Sequence, residues 1–212
     1  MAAHTTRMLL LGAVAIFGPV NGYQIKRELT SWRVDEWANL GAGSIYSGLT
    51  TLERLGQLVR HDLVEDGRTV AVHEITDAGR GELARLIGTG LETVSITDSV
   101  AFHAAFGLLG LIERPVALRH LELRLGALDE LLAAYDETTP DEAPAPPHAR
   151  HGLVLWQRLA AAERAWLADT VERVRAGEFE LAGEPQTWQP PADDPGHQMA
   201  RERERYLRLL GR

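Results

Sequence analysis

The sequence predicts a mainly α fold with a small β-hairpin, in which a compact N-terminal part is followed by a helical region. Apolar residues at helical spacing recur along most of the 212 residues. The pattern shifts to β-branched residues mixed with polar ones only in the stretch 57–76. Breaks rich in proline or glycine fall at Gly18-Pro19 and at 138–147. A hydrophobic content of 45% supports a packed core and argues against disorder. Cysteine is absent, which excludes disulfides and thiolate chemistry and makes a cytoplasmic setting the expectation.

The first element is the apolar run 7–17, which stops at Gly18-Pro19 because glycine frees the backbone and the proline ring blocks a helical turn. A charged start and small residues make this run imitate a secretion signal, but the same residues complete a helical core. Asn21 is placed to cap a second helix, 22–32, with Tyr23, Ile25, Leu29 and Trp32 at core spacings and Gln24, Lys26, Arg27 and Glu28 outside. A third helix covers 43–55. Ile45, Leu49 and Leu52 share one of its faces, whereas Ser47, Thr50 and Arg54 lie opposite, flanked by Tyr46 and Thr51. Such short hydroxyl-bearing side chains can donate to phosphate oxygens and base edges, which suits a helix in a DNA major groove; a plain solvated face has a similar composition. Two strands follow at 57–65 and 69–76 about Asp66-Gly67-Arg68, a hairpin-turn composition, and Thr76-Asp77 caps a helix over 78–87. Three helices, a hairpin and a further helix in that order form a winged helix-turn-helix, whose third helix enters the major groove and whose hairpin tip reaches neighbouring backbone.

Across about residues 7–87 the chain resembles the PadR-like transcriptional regulators. The residues that carry the resemblance are Gly18-Pro19, Gly22-Tyr23-Gln24-Ile25, Leu29, Gly43-Ser44-Ile45-Tyr46, Leu49, Leu52, Leu55-Gly56 and the run Ile75-Thr76-Asp77-Ala78-Gly79-Arg80. The chain departs from that family in having Ser47 where proline often follows the tyrosine, the uncharged pair Thr50-Thr51 where a basic residue is common, and a wing with one arginine, Arg68. The winged-helix reading and the resemblance together place Asn21, Tyr23, Lys26, Ser44, Tyr46, Ser47, Thr50, Thr51, Arg54 and Arg68 at DNA. The resemblance also implies a repressor that forms a homodimer, reads an inverted-repeat operator in double-stranded DNA and responds to an aromatic or amphipathic small-molecule effector.

Charge narrows the mode of binding. A formal net charge of -8 disfavours a protein that coats nucleic acid indiscriminately. Residues 1–87 hold 9 basic and 10 acidic side chains, and the remainder 13 against 20, so the acidity sits mainly outside the winged helix. The competing reading is a winged helix used as a protein-interaction module without specific DNA binding.

The organisation expected is a winged helix-turn-helix domain over 1–90, a helical dimerisation and effector region over 91–177, and an extension over 178–212, irregular and then helical. Along 116–135, Leu118, Leu121, Leu125, Leu128 and Leu132 recur at steps of three and four, a coiled-coil seam that calls for a partner. Helices are also expected over 148–176, apolar on two sides, and over 93–112. Three such helices predict burial shared between two subunits. Trp32, Phe102, His103, Phe106, Trp156 and Trp166 are the candidate effector-binding residues: aromatic surface with one polar group is how small ligands are held and oriented. The final helix, 198–210, reads either as a strap onto the body or as a solvated tail.

Catalytic arrangements are missing: no glycine-rich phosphate loop, nucleophile elbow or cysteine nucleophile appears, so neither an enzyme nor a cofactor is expected. His148 and His151 with Asp141 or Glu142 have a metal-compatible spacing, but exposed histidines at a helix start explain them more simply, and no metal is expected. No run reaches the ~20 apolar residues of a spanning helix, so no membrane partner is expected.

Overall fold

The structure, a computed structural model, describes residues 2–65, 67–137, 145–194 and 196–212. Asp66 of the hairpin turn and most of the proline-rich break, with Asp141 and Glu142, lie outside the described residues. The chain divides into two compact units, one formed by 1–87 with 187–212, the other by 88–186.

In the first unit, helices α1 (Ala2–Phe17), α2 (Gly22–Ser31), the short α3 (Val34–Trp37) and α4 (Ala42–Arg54) precede a hairpin of β2 (Leu58–Glu65) and β3 (Arg68–Ile75). A two-residue strand β1 (Val20–Asn21), which the sequence reading did not separate from the helix start, pairs with β3 and gives an antiparallel sheet of order β1-β3-β2. The register sets Val20 opposite His73 and Glu65 opposite Arg68. α1 packs against α2, α4 and β3, so Met8, Leu9, Leu10, Leu11, Ala13 and Val14 are all buried. That setting explains an apolar run too evenly hydrophobic to look amphipathic.

Two glycines permit close approaches here. A Cβ on Gly22 would lie 2.9 Å from the Tyr46 ring, and one on Gly48 would lie 2.4 Å from Cδ1 of Leu10, itself fully buried. α2 opens with a reciprocal cap in which Gln24 N donates to Asn21 Oδ1 and Asn21 N donates to Gln24 Oε1, both at 2.9 Å, satisfying two otherwise orphaned donors.

α5 (Asp77–Glu92) runs past the expected end and leads into the second unit, which holds α6 (Val100–Gly107), a 3-10 turn at Leu109–Leu111, α7 (Arg114–Glu137) and α8 (Pro147–Arg175). The continuous helix expected over 93–112 is corrected to α6 and that turn. Side chains compete for the backbone ahead of α6: Asp98 N donates to Ser95 Oγ and Val100 N to Asp98 Oδ1, a local arrangement that takes the place of helical bonding.

α7 and α8 lie antiparallel, bridged by Arg175–Glu122, Arg164–Asp129 and a hydrogen bond from Gln157 to Asp136. Leu121 and Leu128 of the expected seam are completely buried within the single chain, because α8 runs along α7; Leu118, Leu125 and Leu132 are half-buried. Arg124 shares the buried face with Leu121 and Leu128. Its guanidinium donates to the carbonyls of Leu91 and Thr93, pairs with Glu163, and lies 3.9 Å from the Phe102 ring centroid. Burial pulls its pKa below the usual arginine range, opposed by Glu163.

The final helix, α9 (Gly196–Leu209), belongs to the first unit. Its Tyr206, with Leu210, packs on Leu63, Val70 and Val72 of the sheet. These residues share the sheet face turned away from His73, which bonds Glu53 of α4 at 2.9 Å. The strap reading of this segment is therefore the observed one.

Candidate nucleic-acid interface and effector cavity

The inner face of α4 is fixed by Ile45, Leu49 and Leu52, each only 2% exposed. That anchoring sets the outer face: Ser44, Tyr46, Ser47, Thr50, Thr51 and Arg54 are all exposed. Three hydroxyl protons are engaged on the helix itself. Ser47 donates to the Gly43 carbonyl at 3.0 Å, Thr50 to Tyr46 at 3.2 Å and Thr51 to Ser47 at 2.9 Å. In this state the hydroxyls present acceptor lone pairs outward, whereas the sequence reading cast them as donors. An acceptor face suits the amino groups of adenine and cytosine; donation to phosphate requires a hydroxyl to rotate.

Around α4 the structure sets the other residues expected at DNA. Tyr23 is 64% exposed at the start of α2, near Tyr46 across the Gly22 contact. Lys26 is half-buried and Arg68 exposed at the base of the hairpin turn. Neither has an ion-pair partner among the described residues, and the same holds for Arg54, so these three cations are free to meet an anion. Arg60, by contrast, is held by Asp62 at 2.8 Å. Asn21 is committed at both ends of its side chain, accepting from Gln24 N and donating from Nδ2 to the Tyr206 hydroxyl at 2.9 Å.

Two features escaped the sequence reading. One is the groove of about 240 Å³ between α1 and α4, lined by Thr6, Arg7 and Leu10 facing Ser44, Ser47, Gly48 and Thr51. Arg7 at its edge donates to Glu82 at 2.9 Å, and Glu82 also binds Arg85; the two guanidiniums hold the Glu82 carboxyl down at about 2. The small residue within the third-helix pattern was its one available signal. The other is the contact of α9 with the wing, for which the long separation in sequence leaves no local mark.

In the second unit, Phe102, His103, Phe106 and Trp166 come together on a cavity of about 350 Å³, with Ser95, Ile96, Ser99, Leu159 and Glu163 completing the lining. Trp166 meets Phe106 edge-on at 5.1 Å and Phe102 at 6.0 Å, a geometry favoured by ring quadrupoles. Ser99 Oγ and His103 Nε2, 3.1 Å apart, form the polar side with the Glu163 carboxylate. Trp156 lies on α8 outside that lining, 42% exposed. Trp32 lies in the first unit, where its Nε1 donates to Glu28 Oε1 at 3.0 Å and its ring is 6.4 Å from Phe17.

His148 and His151 are exposed in the first turns of α8. Among the described residues no group of three or more histidines or carboxylates is placed to hold a metal ion, and no helix is long and apolar enough to cross a membrane.

A sequence profile of the transcriptional regulator PadR-like family matches residues 10–85. Among solved structures, the crystal structure of Bacillus subtilis PadR in complex with operator DNA is 19% identical over 78% of this chain and 97% of that one, with a TM-score of 0.34. The PadR-like transcriptional regulator BC1756 from Bacillus cereus is 19% identical over 79% and 94%, with a TM-score of 0.32. No curated protein matches. The matched segment opens within α1, takes in all of α4 and the hairpin and closes in α5; over it, the chain is similar to the transcriptional regulator PadR-like family.

Proposed function

We propose that this protein is a sequence-specific, cytoplasmic DNA-binding repressor that works as a homodimer and releases its inverted-repeat operator when a small aromatic or amphipathic effector binds. The observation that carries DNA binding is the α4 helix: an apolar face locked into the core and a continuous exposed face of hydroxyls, Tyr46 and Arg54, in a segment matching a family of transcriptional regulators. Free cations at Lys26, Arg54 and Arg68 supply phosphate contacts, and the hydroxyl acceptors supply base contacts. The near-neutral balance of the winged helix suits binding in which specificity outweighs bulk attraction.

Support for a dimer comes from apolar surface that a single chain leaves uncovered. Leu155, Trp156, Leu159 and Trp166 on α8 are 42–56% exposed, and Leu123 on α7 is 54% exposed. Covering such a stripe with its copy about a two-fold axis is the economical arrangement. Leu118, Leu125 and Leu132 can add to that interface, whereas Leu121 and Leu128 have no exposed surface left to contribute. Support for an effector comes from the cavity at Phe102, Phe106 and Trp166, whose size and mixed lining fit a planar aromatic molecule carrying a polar group.

Footprinting on the DNA upstream of the gene tests the reading. Two protected half-sites related by inversion, about 10 bp or a multiple of it apart, are expected. A single protected patch, or uniform protection, overturns the dimeric, operator-reading mode.

A further inference from the structure

α9 turns most of the arginines of the run Arg201-Glu202-Arg203-Glu204-Arg205 outward, which the alternation conceals in the sequence. Met199 and Tyr206 are buried beneath it. At about 100° per residue, Arg201, Glu204, Arg205 and Arg208 fall on the side opposite those two, and Arg212 follows the end of the helix. Glu202 is turned inward, where it accepts from Gln24 Nε2, and Arg203 reaches the Gly18 carbonyl at 2.8 Å. The outer side is left with three arginines, Arg201, Arg205 and Arg208, and one carboxylate, Glu204. Arg205 pairs with Glu65 and Arg212 with Glu74, both on the sheet. Arg201 and Arg208 have no partner among the described residues.

Two contacts tie α9 to elements that neighbour α4. Tyr206 accepts a hydrogen bond from Asn21, the cap of α2, whose next residues are Gly22 and exposed Tyr23. Arg205 reaches Glu65, the residue paired across the hairpin with Arg68. The wing and the start of α2 are the parts of a winged helix that flank the recognition helix along the DNA backbone. Here that flank is otherwise poor in positive charge, with Arg68 alone on the wing tip.

We propose that the outer face of α9 is an accessory binding surface for the phosphate backbone of duplex DNA beside the wing, giving affinity without base readout. The inference rests on the DNA-binding reading above. Arg201 to Arg208 span about 10 Å of helix axis, the length of about three phosphates on one strand. The delocalised guanidinium is the side chain best matched to phosphate oxygens.

The test uses the full chain carrying Arg201→Gln and Arg208→Gln, which leaves every described ion pair intact. Affinity is measured over a range of salt concentrations for the upstream DNA and for an unrelated duplex of equal length. Each lost phosphate contact lowers the slope of log affinity against log salt by about 0.9, so a fall of about 2 is expected on both DNAs, with their affinity ratio unchanged. The pair Arg201→Lys and Arg208→Lys should keep the slope, since charge is what counterion release reads. An unchanged slope in the glutamine variant, with a thermal transition equal to wild type, overturns the proposal. A wild-type chain without salt-dependent binding overturns the DNA-binding reading and this surface with it.

Discussion

The Asn21 side-chain amide donates to the Tyr206 hydroxyl at 2.9 Å across 185 residues of sequence, tying the cap of α2 to the last helix. The same asparagine closes the reciprocal cap with Gln24, so one side chain joins strand β1, helix α2 and helix α9. Replacing Tyr206 with Phe keeps the ring on Leu63 and Val72 but leaves the Asn21 donor without its partner. A loss of about 1 kcal/mol is expected. Tyr206→Ala removes the ring as well and should cost about 3–5 kcal/mol. Thermal melting checks both, and equal losses in the two variants would contradict the packing described for α9.

Gly48 sets how closely α1 and α4 approach. A Cβ there meets Leu10 Cδ1 at 2.4 Å, so the buried Leu10 side chain must shift. Gly48→Ala should therefore cost about 1–3 kcal/mol through overpacking despite the better helix propensity of alanine. It should also weaken DNA binding by shifting the outer face of α4. Gly43→Ala, where an added Cβ meets nothing within 4 Å, is the control and should be near neutral or stabilising.

The Glu82 carboxyl, held near 2 by Arg85 and Arg7, links stability to pH. A folded pKa depressed below the ordinary 4.5 means that this stabilisation is fully present above about pH 4.5 and is lost as pH falls towards 2. Stability should decline across that window, and Glu82→Gln should flatten the decline at a cost on the order of 2 kcal/mol at neutral pH. Denaturant melts at pH 7 and pH 3 measure the difference. Equal slopes for wild type and variant would refute the assignment.

The cavity in the second unit makes a spectroscopic prediction. Trp166 lines it and Trp156 does not, so titration with planar aromatic acids or aromatic cations should quench a component of tryptophan fluorescence that Trp166→Phe removes and Trp156→Phe retains. Phe106→Ala opens the edge-on pair with Trp166 and should weaken ligand binding by about fivefold, for a ring pair worth ~1 kcal/mol. Quenching that follows Trp156 instead would place the ligand elsewhere on α8.

Helices α1, α2, α4 and α5 and the hairpin were legible in the sequence because their signals are local, whereas the short α3 was not read. Asn21 announces a cap, Gly18-Pro19 a stop, and Ile45, Leu49 and Leu52 one face of a helix. The second unit was harder to read. A stripe such as Leu121 and Leu128 states that a surface must be covered but not by what, and here α8 of the same chain does so. Residues 93–99 looked helical by composition, yet Ser95 and Asp98 bind the backbone locally and turn that segment into the rim of the cavity. Grouping the aromatics by type gathered Phe102, His103, Phe106 and Trp166 with Trp32 and Trp156, which the fold places in other surroundings. The docking of α9 rests on contacts between residues far apart in sequence, 185 positions for Asn21 and Tyr206, and no periodicity within 198–210 could name Asn21 or Leu63 as partners.

Competition binding tests the central claim most directly: the purified chain against labelled DNA from upstream of its own gene, challenged with unlabelled copies of that DNA or of a scrambled duplex at fixed salt. The account predicts that the native sequence competes at least about 1,000-fold better than the scrambled one. It also predicts that Arg54→Ala weakens binding to both, with a smaller salt slope. Equal competition by the two duplexes, or no binding to either, would contradict the assignment of α4 as a recognition helix.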